Sequence, residues 1–276
     1  MVSFKEQCTT LRKRGFSINQ IVQKTHRPKT SVYFHIQNLP LNKKRKREIR
    51  TAAIKRLNKY SRRIKGQSRL HRHPTPFDVW NTQLVSLVGH MVFDGDVSSR
   101  GCVYTNRSLS LHQHVADCMV AVYSFPPKRY ESLPEVYKSA YYNVELGKYI
   151  SEKEKELLQS VAYMEKILQR AFLRAFFDDE GSVYFIGNRR AVRGYQHDEK
   201  ILRLIQKLLK DFGVESNVDV TYNEITITRK ENIDRFAQEI NFTAGVCVNG
   251  LRKNSIWKQS LEKREILKKA LASYQS

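Results

Sequence analysis

Two acids occupy matching positions in an internal repeat of this 276-residue chain. The stretches Leu87–Val97 (LVGHMVFDGDV) and Leu173–Val183 (LRAFFDDEGSV) are both apolar runs that end in an acid followed by a glycine. Asp94 and Glu180 are the two acids, and they lie 86 positions apart. A repeat of that length indicates two copies of one structural unit.

The pattern around the acids predicts two closely packed helices. Gly89 and Ala175 each lie five positions before an acid, and small side chains at a contact let helices approach closely. Both acids then lie at helix C-termini, where the macrodipole disfavours a carboxylate. Two such carboxylates, brought to the same end, repel each other unless a shared hard cation lies between them. Mg²⁺ is typically held by one or two carboxylates together with water and phosphate oxygens.

The glycines that follow the acids have a predicted role of their own. Gly95 and Gly181 are expected to adopt the left-handed conformation that commonly ends a helix.

The two stretches resemble the paired motifs of single-chain LAGLIDADG homing endonucleases, and the resemblance extends from about Phe77 to the C-terminus. The second motif is close to the family pattern. The first departs from it, with His90 at a usually aliphatic position and with Val92 and Phe93 before the acid. Both motifs keep the acid itself.

The resemblance implies an α+β fold of two pseudo-symmetric αββαββα units packed through their motif helices. It also implies hydrolysis of DNA phosphodiesters by Mg²⁺, or by Mn²⁺ as a substitute. Asp94 and Glu180 would be catalytic and would bind the metal, with Gly95 and Gly181 completing the predicted metal site. One monomer would supply both acids.

Other residues near the motifs have less defined roles. The resemblance implies that Asp178 is structural, and Asp96 is either a weak extra ligand or a turn residue. It also implies one basic residue per unit near the attacking water, for which the candidates are Arg229 or Lys230 in the second unit and Lys138 or Lys148 in the first.

The charge of the chain indicates a polyanionic partner. The net charge is +22, and residues 1–76 contain 21 Lys and Arg against 2 Asp and Glu. The other 200 residues contain 28 basic and 25 acidic residues. A basic appendage on a nearly neutral body is typical of nucleic-acid binding. The resemblance implies that this nucleic acid is double-stranded DNA.

Residues 1–40 of the appendage resemble the helix-turn-helix domain of resolvases and many bacterial regulators. Helices are expected at Ser3–Arg14, at Ile18–His26 after an N-cap at Ser17, and from Thr30 or Ser31 onwards. In a helix-turn-helix the last helix lies in the major groove, and its early residues contact base edges. The predicted DNA-binding residues there are Lys29, Thr30, Ser31, Tyr33 and His35. A protein-interaction module of three short helices is the alternative.

Residues 41–76 are predicted to form a basic helical linker. An amphipathic basic helix is expected over Asn42–Arg72, with Arg45 and Arg47 among its phosphate-binding residues. His71, His73, Pro74 and Pro76 are expected to form a solvated hinge.

The remaining chain is divided into a first unit, residues 77–159, and a second unit, residues 160–276, which includes a C-terminal helix. In the first unit the pattern predicts helix Phe77–Asp94, extended segments within Val97–Asn106, helix Leu109–Phe125, strands Lys128–Ser132 and Val136–Val144, and helix Leu146–Gln159. In the second it predicts helix Ser160–Glu180, strands Ser182–Ile186 and Arg190–Gln196, helix Glu199–Phe212, strands Ser216–Tyr222 and Ile225–Arg229, and helices Asn232–Ile240 and Asn254–Ala272.

Strand alternation predicts a second DNA-binding surface. Arg189, Arg193 and Tyr195 share one sheet face, whereas Val183 and Phe185 share the apolar face. The resemblance implies that two such sheets form a saddle over the major groove.

The remaining observations concern the cellular compartment. No apolar run reaches the roughly 18 residues of a membrane span, and the N-terminus lacks a signal-peptide pattern. A cytoplasmic, nucleoid-associated protein without a membrane partner is expected. The four scattered cysteines are expected to be reduced, mostly buried thiols.

Three functions are consistent with these patterns. The favoured one is a site-specific double-strand DNA endonuclease of the homing type. A DNA-binding regulator that cuts nothing and an RNA maturase that binds intron RNA are the alternatives.

Overall fold

The computed structural model describes residues 2–65, 79–248, 250 and 257–274, with the backbone alone described for residues 59–65. The chain divides into two compact units, Met1–Leu70 and His71–Ser276, called here the N-terminal unit and the body. None of the helices in the described ranges is long and apolar enough to cross a membrane.

The N-terminal unit is helical. Its helices are α1 (Phe4–Lys13), α2 (Ile18–Thr25), α3 (Lys29–Ile36) and α4 (Lys43–Lys65). Capping boxes begin α1 at Ser3 and α2 at Ser17, so the N-cap predicted at Ser17 is confirmed. The first three helices enclose a small core of buried side chains, Cys8, Ile21, Val32 and Ile36.

Two predicted helix bounds in this unit need comment. α3 begins at Lys29 rather than at Thr30 or Ser31, because Pro28 takes the N-cap position, where its lack of an amide hydrogen leaves no donor unpaired. α4 covers most of the predicted helix Asn42–Arg72, and residues 66–72 lie outside the described ranges, as do His73, Pro74 and Pro76.

The body contains two successive αββαββα halves, as predicted. The first half consists of α5 (Thr82–Asp94), β1 (Gly95–Ser98), β2 (Gly101–Asn106), α6 (Leu109–Tyr123), β3 (Lys128–Leu133), β4 (Val136–Tyr141) and α7 (Val144–Ser160). The second half follows a 3-10 turn at Val161–Tyr163 and consists of α8 (Lys166–Glu180), β5 (Gly181–Ile186), β6 (Arg189–Tyr195), α9 (Glu199–Asp211), β7 (Asn217–Asp219), β8 (Glu224–Ile227) and α10 (Lys230–Glu239).

Each half forms an antiparallel four-stranded sheet with the same topology. The strand orders are β1-β2-β4-β3 and β5-β6-β8-β7. In the second sheet Val183 pairs with Val192 and Ser182 with Arg193, which confirms the predicted separation into an apolar and a polar face. The apolar faces and the helices form one continuous core, so the body is an α+β fold.

A short segment closes the body: β9 (Cys247–Val248), β10 (Leu261–Glu262) and α11 (Lys263–Ala272). The predicted helix Asn254–Ala272 is therefore wrong in its first part. Residues 257–260 are not helical, and Leu261 and Glu262 pair as a strand with Val248 and Cys247. Residues 254–256 lie outside the described ranges.

Other predicted bounds also differ from the structure, among them that of the strand predicted at Val136–Val144, which ends at Tyr141 because α7 begins at Val144. α8 begins at Lys166 instead of Ser160, because Met164 is extended and separates it from the 3-10 turn. The strand predicted at Ser216–Tyr222 ends at Asp219, whose carboxylate accepts hydrogen bonds from the amides of Thr221 and Tyr222 and so forms a turn. α5 begins at Thr82 after an Asn81 cap, while residues 77–78 lie outside the described ranges.

Candidate metal centre at two paired helix ends

Helices α5 and α8 pack against each other through the predicted small residues. A Cβ atom added to Gly89 would lie 3.0 Å from the Cβ of Ala175. Leu87 and Leu173, the matching leucines of the repeat, are both fully buried. The close packing follows from the size of these residues, and it leaves Asp94 and Glu180 as the last residues of the two helices.

The glycines after the acids are needed for a different reason from the one predicted. Gly95 and Gly181 are extended, with φ near −92° and −91° and ψ of 155° at both, so the left-handed expectation is wrong. A Cβ atom at either position would lie 2.3 Å from a backbone oxygen, that of Met91 or of Phe177. Glycine is required because the chain passes directly from helix to strand here, and a side chain would collide with the backbone of the last helical turn.

Both acids have raised pKa values. Burial, followed by the charge of Asp179, raises the pKa of Asp94 to about 6. Burial, followed by the charge of Asp94 and then of Asp179, raises the pKa of Glu180 to about 7. Because the charge of Asp94 raises the pKa of Glu180, the two carboxylates are near enough to repel each other. This is the electrostatic situation that the repeat predicted.

Two polar groups hold the acids in place, and the sequence did not single out either. The Asn106 side chain, at the end of β2, donates a hydrogen bond of 2.5 Å to Oδ2 of Asp94. Lys263, the first residue of α11, is buried, and its Nζ donates to the backbone oxygens of Phe177 (3.1 Å) and Asp178 (2.7 Å). Its positive charge lowers the pKa of Asp94 and of Glu180, opposing the effect of burial.

Lys263 therefore offsets the negative end of α8. That end contains three successive acids, and a cation that binds the last carbonyls of a helix is favourable there. Burial lowers the pKa of Lys263, while the neighbouring acids raise it in opposition. No pattern within the first or second repeat could have identified Lys263, since it lies more than 80 residues beyond the motif it serves.

Asp178 has the structural role that was predicted for it. Its side chain is buried, and its Oδ1 accepts a hydrogen bond of 2.8 Å from the amide of Thr243. Its other oxygen, Oδ2, has no hydrogen-bond partner. Burial raises the pKa of this carboxyl group.

Asp179 forms a buried polar network across the helix pair. Its Oδ2 accepts a hydrogen bond of 2.7 Å from Nδ1 of His90, and its Oδ1 accepts one of 2.6 Å from the Tyr104 hydroxyl. The side chains of His90 and Asp179 are 1% and 0% exposed, so the network is sealed from solvent. The network explains why the first motif has a histidine at a usually aliphatic position.

The second half fills the matching place with aromatic rings. Phe176 is the repeat equivalent of His90. Gly194 is the equivalent of Tyr104, because Gly194 pairs with Gly181 across the second sheet and Tyr104 pairs with Gly95 across the first. A Cβ atom on Gly194 would lie 2.4 Å from the Phe176 ring, so the larger ring occupies the space that Tyr104 fills in the first half.

The partners of these residues across the helix pair are matched in the same way. Phe93 is the repeat equivalent of Asp179, and it packs edge-on against Phe176 at 5.1 Å between ring centroids. Of the two places related by the repeat, one thus contains a polar triad and the other an aromatic cluster, and each is built from residues of both halves.

The donor set fits a divalent cation bound by few protein ligands. In the ranges that the structure describes, no group of three or more His, Cys, Asp and Glu side chains could hold a metal ion. The carboxylates of Asp94 and Glu180 remain, both with raised pKa values. Two is the number that Mg²⁺ uses when water and phosphate oxygens supply the rest. Gly95 and Gly181, the other predicted metal residues, begin β1 and β5 directly beside the acids.

Four basic residues were the candidates for a place near the attacking water, and the structure describes their exposure and neighbours. Arg229 is exposed and lies 3.7 Å from Glu215, and Lys230 and Lys148 are exposed as well. Lys138 is half-buried on β4. Asp96 is exposed on β1, opposite Val103.

The polar sheet face carries the predicted residues of the second half. Arg189 and Tyr195 are exposed. Arg193 lies beside them, but its guanidinium is ion-paired with Glu224 and lies over the Tyr184 ring at 5.6 Å. Arg193 is therefore held in place by neighbours on its own sheet.

The predicted DNA-binding residues of the N-terminal unit divide into two groups. Lys29, Thr30 and Tyr33 are exposed on α3, whereas Ser31 is half-buried. His35 is also half-buried and packs edge-on against Phe4, with 5.2 Å between ring centroids.

The two arginines of α4 also differ. Arg45 donates a hydrogen bond of 3.1 Å to the Gly15 carbonyl and one of 2.7 Å to Glu48. Arg47 is exposed.

Comparison with known proteins supports a family description for part of the body. Residues 168–241 match the family model of a LAGLIDADG-like domain. None of the curated protein sequences matches the chain.

Three similar solved structures illustrate the fold. A variant of the homing endonuclease I-DmoI in complex with its target DNA in the presence of magnesium is 17% identical, with a TM-score of 0.47, over 58% of this chain and 95% of that one. The N-terminal LAGLIDADG domain of DUF199/WhiA is 20% identical, with a TM-score of 0.46, over 61% and 85%. Full-length DUF199/WhiA from Thermatoga maritima is 18% identical, with a TM-score of 0.48, over 73% and 63%. The family match itself covers residues 168–241, which extend from α8 to just beyond the end of α10.

Proposed function

We propose that this protein is a divalent-metal-dependent endonuclease that cuts double-stranded DNA at a specific site, as homing endonucleases do. One observation carries the proposal: two carboxylates with raised pKa values end the two central, pseudo-symmetric helices of the body. Repelling acids at matching positions break a local rule twice, which is typical of a functional site.

Asp94 and Glu180 are the proposed metal-binding and catalytic residues, with Mg²⁺ as the cation and Mn²⁺ as its substitute. A bound divalent cation lowers the pKa of water and stabilises the leaving oxygen of a phosphodiester. The chain's own residues orient the two acids. Asn106 fixes one oxygen of Asp94, and Lys263 holds the C-terminal turn of α8 that ends in Glu180.

The polar faces of the two sheets are the proposed DNA-binding surface of the body, and Arg189, Arg193 and Tyr195 belong to it. The basic N-terminal unit adds phosphate contacts through Arg47 and Arg45 and base contacts through α3. Since one chain contains both acids, the cutting species is proposed to be a monomer.

Cleavage of DNA by the purified chain tests the proposal. A supercoiled plasmid library carrying random target sequences is incubated with Mg²⁺, with Mn²⁺ or with EDTA. Linear product is expected with either metal and none with EDTA. Asp94→Asn and Glu180→Gln should each abolish cleavage while DNA affinity in a gel-shift assay stays within about threefold, since neutral isosteres remove metal ligands without adding bulk.

Asp211→Asn is the matched control, because Asp211 is an exposed acid that also ends a helix, α9. This variant should cut like the wild type. A wild-type chain that binds duplex DNA but gives no metal-dependent cleavage of any library member would refute the endonuclease.

The N-terminal unit favours a second candidate, a DNA-binding regulator that cuts nothing. Its four helices and concentrated positive charge would bind DNA without help from the acids of the body. Site-specific binding without cleavage, unchanged in the Asp94→Asn variant, would support the regulator.

A further inference from the structure

Helix α3 exposes one continuous side, which we call the α3 outer face. It consists of Lys29, Thr30, Tyr33, Phe34 and Gln37, all of which are exposed. Val32 and Ile36 lie on the opposite side and are buried in the core of the N-terminal unit. The spacing of the exposed residues places them on a single side of the helix.

Two neighbouring aromatic side chains dominate this face. Phe34 is 70% exposed and Tyr33 is 53% exposed. Among the side chains that the structure describes in the N-terminal unit, four are buried in its core, so the unit would gain stability from burying either ring. Adjacent large apolar groups left in water mark a surface that binds a partner more often than isolated ones do.

The charge around the face identifies the class of partner. Residues 1–70 contain 20 Lys and Arg and only 2 Asp and Glu. Lys29 lies on the face itself, at the N-terminus of α3. An excess of positive charge of this size fits the phosphates of a nucleic acid.

The apolar content of the face narrows the partner further. The major groove of B-DNA admits one α-helix, and the apolar group that it displays is the C5-methyl group of thymine. Phenylalanine is one of the side chains that contact this methyl group. RNA offers neither feature, because uracil lacks the methyl group and the major groove of A-form helices is too narrow for side chains to read.

We propose that the α3 outer face lies in the major groove of duplex DNA and that Phe34 and Tyr33 contact thymine methyl groups there. The proposal rests on the DNA partner of the proposed function but not on cleavage. It makes α3 a reader of T-containing steps, with Lys29 and Thr30 positioned for phosphate or base-edge hydrogen bonds. Phe34 was absent from the residues predicted to bind DNA.

The experiment compares thymine with uracil in the same duplex. The full chain is used in EDTA, so that binding is measured without cleavage, and duplexes are selected from a random 40-base-pair library. The best duplex is then synthesised with thymine or with deoxyuridine, and both affinities are measured by fluorescence anisotropy. Burial of one methyl group changes affinity by about fourfold, so loss of two contacts should weaken wild-type binding by about 15-fold.

Phe34→Ala and Tyr33→Ala locate the effect on α3. Each variant should bind the thymine duplex about fourfold more weakly than the wild type, and the double variant should bind both duplexes equally. Leu57→Ala is the matched control, since Leu57 is 64% exposed on α4 of the same unit. It should keep the full preference for thymine.

Three results would overturn the proposal: equal wild-type affinity for the two duplexes, a double variant that keeps the full preference, or no selection of any duplex. Failure here is distinguishable from failure of the endonuclease. A chain that cuts DNA but ignores the thymine methyl group would lose only the α3 contact. A chain that prefers thymine and never cuts would lose only the catalytic role.

Discussion

Replacing Asp179 by asparagine tests the buried network directly. The substitution keeps the shape of the side chain, which is 0% exposed to solvent, and removes its charge. His90 then loses its carboxylate partner, and Tyr104 loses a charged acceptor. Breaking a buried ion pair by removing one partner destabilises a protein by about 3–5 kcal/mol. We expect a loss at the lower end, about 3 kcal/mol, because the asparagine oxygen still accepts one hydrogen bond.

The assay is equilibrium urea unfolding of the full chain at pH 6, followed by far-ultraviolet circular dichroism. Asp117→Asn is the control, because Asp117 is exposed on α6, where its carboxylate accepts a hydrogen bond from Gln113. It should change the free energy of unfolding by less than about 0.5 kcal/mol. A loss below about 1 kcal/mol for Asp179→Asn would refute the reasoning, since it would show that the pair contributes no more than a surface ion pair.

The pH dependence of the same variant gives an independent check. Burial lowers the pKa of His90, but the neighbouring charge and hydrogen bond of Asp179 outweigh it, so the pKa is raised overall. A raised pKa in the folded state contributes stability that is complete below the unfolded value of about 6.5 and is lost as pH rises through the folded value. The difference in stability between wild type and Asp179→Asn should therefore be largest below pH 6.5 and shrink at alkaline pH.

A triple variant tests whether the two halves are interchangeable at this place. His90→Phe, Tyr104→Gly and Asp179→Phe together copy the aromatic arrangement of the other half. Replacing a buried ionic cluster by packed apolar groups is often neutral or stabilising, so the triple variant should recover most of the stability lost by Asp179→Asn. A triple variant less stable than Asp179→Asn alone would contradict this view of the repeat.

Three further predictions concern the helix pair and its acids. The pKa values of Asp94 (about 6) and Glu180 (about 7) in the folded protein are raised, so without metal their contribution to folding stability should be complete below about pH 4 and fall as pH rises to 7. Mn²⁺ should therefore raise the Tm more at pH 8 than at pH 5, as measured by differential scanning calorimetry. An equal rise in Tm at the two pH values would argue against metal binding by these acids. Gly89→Val should lower the free energy of unfolding by about 1–3 kcal/mol through overpacking against Ala175, and Ala175→Gly should restore part of it in urea unfolding. Lys263→Met should lower the free energy of unfolding by about 2–4 kcal/mol, because two buried carbonyls lose their donor. Lys268→Met, on the exposed side of α11, is the control and should change it little.

Most of the fold was predictable because its determinants are local. The positions of most helices and strands follow from apolar periodicity and from stop signals such as the glycine after each acid. Their αββαββα order in each half is what the family resemblance implied, and the structure shows it. The bounds that were wrong depend on pairings with distant segments. Leu261 and Glu262 form a strand instead of a helix because Cys247 and Val248 lie beside them, and no local pattern contains that information.

The candidate site was likewise predictable only in the features that local sequence determines. The repeat alone determined that Asp94 and Glu180 end equivalent helices and that Gly89 and Ala175 lie between those helices, because residue size and period are properties of the chain itself. Only the tertiary structure decided which groups surround the acids. Lys263 reaches the end of α8 from the last helix, and Asp179 finds His90 across the helix pair. Those contacts join residues more than 80 positions apart in the chain, and such contacts arise only when the two halves pack.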